Sequence, residues 1–400
     1  MVALLDGVRV IDVTTVLAGP FAAYQLALLG ADVVKVEIPG TGDLARDMGD
    51  DEYLKSEAMG AAFIAQNSAK RSVTVDLKRA GGREVFTRLV ATADVLLENM
   101  RPGVLERLGF SWDRLHELNP RLVYCAVSGF GQTGPLAGRA AYDQIIQGLA
   151  GMADVTGHPE GGPLRVGFPI CDTLGGYAAA MGIAAALVRR ERDGVGHVLD
   201  VSMLETALTA MGWVVSEQLI TGRDAGRHGN DNAASSPSGT FRTGNGLLNI
   251  AANTQSQFEA LCAVLGRDDL VADARFATRA DRKRHRAALT AEIESALAAA
   301  SADHWEAQLA TVSVPAGRVL SLGDALGQAQ IQSRALVHDV EVDLPSRSRV
   351  SVLGSAIHVD GASLGPTSRP PRLGEHTATI LSELGYSADD VRALRDDHAI

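Results

Sequence analysis

Cysteine is scarce in this 400-residue chain. Cys125, Cys171 and Cys262 are too scattered for a disulfide framework and include no CxxC pair of the kind that holds zinc. That usage fits a reducing, cytoplasmic compartment. Aromatics make up only 4% of the residues and the formal charge is −11, so neither a base-stacking surface nor a global positive field exists for nucleic acid. The ten histidines occur singly, with no HxxxH or HExxH pair, which argues against a metal site. Long apolar runs are missing as well. Met1 to Leu5 is apolar, but Asp6 and Arg9 interrupt it too early for a signal-peptide core. Thr173 to Val188, the longest nearly uncharged stretch, stops at Arg189-Arg190, short of the ~18 residues of a membrane span, and reads as a buried helix. No membrane partner is expected, and no internal repeat or low-complexity tract is visible.

What remains, 46% hydrophobic and 21% charged residues, is the composition of an ordinary globular protein of two domains, with three possible at this length. Strand-like runs alternate with helical patterns from the start: Val8–Val13, helix Phe21–Leu29 stopped by Gly30, Val33–Val36, Ser72–Leu77, helix Gly82–Ala93, Val95–Glu98 and Leu122–Val127. Alternation of this kind predicts a parallel sheet in an α/β domain. Helical patterns follow at Gln144–Met152, Thr173–Arg192 and Met203–Leu219, with a short strand at Val198–Val201. The polar stretch Thr221–Thr243 marks a long loop or a boundary. A helix-rich block to about residue 324 predicts a smaller domain, and periodicity alone does not say which domain the tail joins.

Three features carry candidate chemistry. Leu17-Ala18-Gly19-Pro20 follows the first strand and opens a helix whose amides can face an anion, although a single glycine is no dinucleotide fingerprint. Between Lys70 and Arg107, eight basic residues face five acids. Lys70-Arg71 and Asn99-Met100-Arg101 are expected beside strand ends, where a phosphate-bearing small molecule fits; a solvated helix face is the plain alternative. Asp172 directly precedes the most apolar helix and is expected to be its N-cap, held ionised by the helix amides and dipole. Asp is also simply a common cap. Gly175 and Gly176 predict close approach by a ligand or another backbone. Cys171, on an apolar segment with no histidine near it in sequence, reads as inert packing.

Taken in order, these segments resemble family III coenzyme A transferases, the group that includes formyl-CoA and carnitine CoA transferases. The likeness runs nearly end to end, through Leu5–Asp12, Leu29–Glu37, Gly40-Thr41-Gly42-Asp43 with Arg46, Lys70–Lys78, Ala93–Asn99, Ser128–Gly131 and Pro371–Thr377. It implies an α/β fold: a Rossmann-like large domain built from residues 1–215 and 325–400, a smaller α+β domain over 216–324, and an interlocked homodimer. Asp172 is then the catalytic carboxylate. Coenzyme A, a substrate and not a resident cofactor, lies across Leu17, Ala18, Lys70, Arg71, Asn99, Met100, Arg101 and Arg107. Tyr142, Gln144 and the Arg227–Gly239 loop are candidates for the acid acceptor. Two departures stand out: Ile38-Pro39 replace an arginine that relatives often place on a CoA phosphate, and Ser235–Gly239 lacks the glycine-rich loop of formyl-CoA transferases.

The implied reaction moves CoA from an acyl-CoA to a carboxylic acid through aspartyl anhydride and aspartyl-CoA thioester intermediates. Because a thiol is far less acidic than an Asp carboxyl, the first displacement runs uphill by about 6 kcal/mol, and binding energy from the nonreacting CoA tail has to offset it. Two other readings compete. A 2-methylacyl-CoA racemase needs two proton carriers, but Tyr142 stands where such relatives have a histidine, in Ala141-Tyr142-Asp143. A non-catalytic CoA-binding protein would bind CoA yet form no acyl-enzyme.

Overall fold

The computed structural model describes residues 3–400. Six strands form one parallel sheet: β1 (Arg9–Asp12), β2 (Asp32–Glu37), β3 (Lys70–Thr74), β4 (Val95–Glu98), β5 (Val123–Ser128) and β6 (Val198–Ser202). Their order is β3-β2-β1-β4-β5-β6, so the winding reverses between β1 and β4. This is the doubly wound arrangement, in which the reversal opens a crevice at the carboxyl ends of the strands.

Adjacent strand residues point to opposite faces, and both faces are apolar. Val10, Val33, Val95, Leu97 and Val127 pack under α1 (Ala18–Leu28) and the later helices. Ile11, Val34, Val73 and Leu96 pack under α2 (Ala80–Ala91), α3 (Val104–Arg107) and α4 (Trp112–Leu118), joined by Ile380, Leu381 and Val391 from the tail. Helices α5 (Asp143–Leu149), α6 (Ile170–Asp193), α7 (Met203–Ala210) and α8 (Trp213–Thr221) complete this part of the chain.

Two compact units result. The first comprises 3–153, 165–223 and 330–400; the second comprises 154–164 and 224–329. The second unit therefore takes in 154–164, which sequence reading places in the large domain. It is built on an antiparallel sheet of β7 (Ser238–Arg242), β8 (Leu247–Ala251) and β9 (Ala316–Arg318), with a core including Leu248, Phe258, Phe276, Ile293 and Leu309. In the first unit the tail adds a hairpin, β10 (Val337–Leu344) and β11 (Arg347–Leu353), packed against Phe63 and Ile64.

Several expectations change in detail. The helix expected over 203–219 breaks at Gly212, whose φ of 48° ends α7 and starts α8 at a new angle. The stretch expected to be loop contains β7. Helix α6 runs 24 residues and is long and apolar enough, by length and composition, to cross a membrane. One face of it packs against the sheet and α1, and that buried face ends in Arg190, paired with Asp94 at 2.8 Å. The three cysteines are buried free thiols.

Candidate active site at the carboxyl edge of the sheet

The segment after β1 runs toward α1, and its residues are fixed before any ligand is considered. The backbone of Thr15 is bracketed by Asn99 from the end of β4: Thr15 N–H donates to Oδ1 at 2.9 Å, and Nδ2 donates to Thr15 O at 2.8 Å. Asn99 is thus a clasp between the two strands flanking the reversal. Beside it lies a cleft of about 260 Å³ whose lining includes Thr14, Thr15, Ile38, Lys78, Met100 and Leu108. Lys78 is exposed at this cleft, and no carboxylate pairs with its ammonium among the described residues. Sequence reading included Lys78 in the basic window but not among the site residues. The missing signal was that the chain turns after β3, so that residues 75–78 line the crevice.

The basic window separates into two groups. Lys70 does not reach this crevice: its ammonium is buried at the start of β3 and donates to Asp12 Oδ2 at 2.9 Å, Asn67 Oδ1 at 2.9 Å and Pro20 O at 3.0 Å. All three donors are used. Burial draws its pKa down to about 8, while the Asp12 carboxylate opposes that fall. Arg71, also at the amino end of β3, forks onto Asp32 at 2.9 and 2.6 Å and onto Glu383 at 2.6 Å. Arg71 thus sits away from the carboxyl edge, where ligands meet a doubly wound sheet. The Lys70 ammonium reaches the end of β1 but is wholly engaged there by Asp12, Asn67 and Pro20. By contrast Arg101 and Arg107, at and just before α3 and at its end, are exposed and have no acidic partner among the described residues. Met100 N–H donates to Glu98 Oε2 at 2.6 Å, which leaves the Met100 side chain at the cleft.

Asp172 lies in the first turn of α6, but the helix begins at Ile170, so Asp172 is inside it and Pro169 is at the N-cap position. The expected cap is supplied from elsewhere. Asp143, buried at the start of α5, accepts Cys171 N–H at 2.7 Å and Asp172 N–H at 3.4 Å through Oδ1, and Gln147 Nε2 at 2.6 Å through Oδ2. Gln147, fully buried, in turn accepts Val166 N–H at 2.8 Å. A carboxylate reaching in from a different helix is invisible to a local capping rule.

The cap relieves the Asp172 side chain of that task. Its pKa is pushed up to about 7, first by burial and then by the neighbouring Asp143 carboxylate. Burial and the like charge thus work against the helix end, which by itself favours the ionised form. Cys171 is no rival nucleophile, because burial and the same two carboxylates push its thiol up to about 12. Tyr142 and Gln144, on either side of buried Asp143, are both exposed.

The glycines let helix α6 approach the start of α1 and Met203 closely. A Cβ on Gly176 would lie 2.7 Å from Ala18 O and 2.8 Å from Phe21 Cδ1, and one on Gly175 would lie 3.2 Å from Met203 Cγ. Helices α1 and α6 touch backbone to backbone at Gly176, roughly one turn, about 6 Å of rise, beyond Asp172. The Thr14–Ala18 turn accordingly has the cleft at one end and Gly176, four residues after Asp172, at the other. Among the described residues, no three His, Cys, Asp or Glu side chains gather as metal ligands.

Fold and site together define a doubly wound α/β protein with a cleft beside the reversal of its sheet and a partly buried carboxylate on a neighbouring helix. The chain belongs to CoA-transferase family III, whose profile matches residues 5–377. It is a CoA-transferase, moving coenzyme A from an acyl-CoA to a carboxylic acid. It is 38% identical to the acetyl-CoA:oxalate CoA-transferase of Acetobacter aceti, over 94% of this chain and 95% of that one. Identity to the succinate–glutarate CoA-transferase of Agrobacterium fabrum is 36%, over 95% of each chain. A crystal structure of a CaiB/BaiF family protein from Brucella suis superposes with a TM-score of 0.84 at 36% identity, covering 95% of this chain and 99% of that one.

Proposed function

We propose that Asp172 is the nucleophile of the transfer and that acyl-CoA lies along the Thr14–Ala18 turn with its nucleotide end in the cleft beside it. Thr15, Asn99 and Met100 shape that cleft, with Ile38 at its rim; Lys78, Arg101 and Arg107 supply cations for the phosphates. Lys70 and Arg71 take no part in binding. The observation that supports this reading is the α1–α6 contact at Gly176, four residues after Asp172, against Ala18 of the turn that leads from the cleft.

In the first step an Asp172 oxygen attacks the thioester carbonyl, the C–S bond breaks, and CoA thiolate leaves behind an acyl-aspartyl anhydride. The thiolate then attacks the aspartyl carbonyl, releasing the donor acid and leaving an aspartyl-CoA thioester. The acceptor carboxylate attacks that thioester, and the thiolate leaves again. It then attacks the acceptor acyl carbon of the new anhydride, which yields the product thioester and restores the carboxylate. A carboxyl poised near neutrality is better matched to a thiolate leaving group than an ordinary Asp, because burial narrows the basicity gap.

Relatives that act on oxalate, succinate and glutarate make a small dicarboxylate the first acceptor to try. Exposed Tyr142 and Gln144 are the nearest candidates to select it. A homodimer is part of the proposal, supported by an exposed apolar stripe of Tyr177, Met181 and Val188 on α6 and by α8, which buries none of its residues. So is a cytoplasmic location, which fits three reduced thiols. The test is substitution: Asp172→Ala and Asp172→Asn abolish transfer while CoA still binds in calorimetry. Normal turnover by either variant would falsify the assignment.

A further inference from the structure

The β1–α1 turn contains a backbone conformation that its own residue disfavours. Val16 has φ 70°, the left-handed region, where a β-branched side chain is crowded. Buried contacts hold it there. Val16 N–H donates to Asp43 Oδ1 at 3.0 Å, and the Lys35 ammonium donates to Thr14 O at 2.9 Å while pairing with Asp43 Oδ2 at 2.8 Å. Both side chains of the pair are wholly shielded from solvent. The same Asp43 Oδ1 accepts Ala45 N–H at 2.9 Å, so one carboxylate joins two wall segments of the cleft, around Thr14-Thr15 and Gly42-Asp43.

A buried ion pair is a weak source of stability compared with apolar residues of the same volume, but it fixes geometry. We propose that Lys35 and Asp43 are positioning residues for the transfer: together they hold Val16 left-handed and so present the Thr14–Ala18 turn to acyl-CoA. The inference rests on the placement of acyl-CoA along that turn.

The test uses the full-length enzyme, with KM and kcat measured for an acyl-CoA donor and CoA affinity measured by calorimetry. Lys35→Met keeps most of the volume and removes the charge; the expected result is a KM roughly tenfold higher or more, with kcat changed much less. Glycine reaches φ 70° without steric conflict. Adding Val16→Gly to Lys35→Met therefore restores most of the lost affinity, a recovery that general loosening of the core would not produce. Wild-type KM in Lys35→Met, or no recovery with glycine, overturns the inference. If Lys35→Met does not fold, Asp43→Asn, which keeps the Oδ1 acceptor, is read in the same way, with a smaller rise in KM and the same glycine recovery. Failure of the wild type to bind CoA would instead overturn the placement of acyl-CoA itself.

Discussion

Replacing Gly176 by alanine tests whether the α1–α6 contact sets the position of Asp172, the proposed nucleophile. The added Cβ would sit 2.7 Å from Ala18 O, 2.8 Å from Phe21 Cδ1 and 3.3 Å from Ala22 N. Ordinary contact begins near 3.4 Å, so the helices must part by roughly 0.7 Å. Overpacking of this kind costs about 1–3 kcal/mol, and the better helix propensity of alanine returns about 1 kcal/mol. The net effect on stability is small, at most about 2 kcal/mol. The effect on rate is larger, because a misplacement of about 1 Å can cost on the order of 100-fold, which makes a kcat loss of roughly tenfold the expectation here. Gly182 on the same helix is the control: a Cβ there meets nothing closer than Leu199 Cδ1 at 3.5 Å. Gly182→Ala should raise the melting temperature and leave kcat alone. Product acyl-CoA measured by mass spectrometry, alongside thermal melts, reads both variants. If Gly176→Ala behaved like Gly182→Ala, with full kcat and a raised melting temperature, the helix contact would have no part in catalysis.

Other expectations follow from the same site. With the Asp172 pKa near 7, kcat/KM for the acyl-CoA should fall about tenfold per pH unit below neutrality, since only the carboxylate attacks; a profile flat down to pH 5 would contradict it. Asp143→Asn removes the like charge but keeps an oxygen for the Cys171 amide, so the inflection should move to lower pH, and an unmoved inflection would show that burial alone sets it. Asp172→Asn should stabilise the fold at pH 8, because a carboxyl with a raised folded pKa destabilises once ionised. Some part of about 4 kcal/mol is available there after solvent screening, and the gain should vanish below about pH 4, where the carboxyl is protonated in both folded and unfolded chains. Lys70→Met, which strands the Asp12 carboxylate, should cost about 3–5 kcal/mol in denaturant melts. A selective rise in KM without loss of stability would return Lys70 to the binding surface.

Much of the architecture was legible in the sequence because both faces of the sheet are covered. Strands such as Val95–Glu98 then read as unbroken apolar runs between helical periods, and the parallel sheet follows. Turns within helical patterns were harder. The break at Gly212 depends on a positive φ that a propensity argument does not distinguish from a tolerated helical glycine. At the proposed site, Asp172, Asn99 and the Leu17-Ala18 turn were expected at transitions between elements, and they lie at such transitions. The pairing of Lys70 and Arg71 was not legible for a physical reason: Asp12 and Asp32, the carboxylates that engage them, are far away in sequence. Asp143 escaped for the same reason, since a cap delivered from another helix leaves no local pattern.

The most direct measurement is to quench the enzyme with hydroxylamine during turnover of an acyl-CoA and sequence its peptides by mass spectrometry. A hydroxamate on the side chain of residue 172, absent when donor is omitted, is the predicted result. Sustained turnover with that aspartate unmodified, or with the hydroxamate on a different carboxylate, would contradict covalent transfer through Asp172.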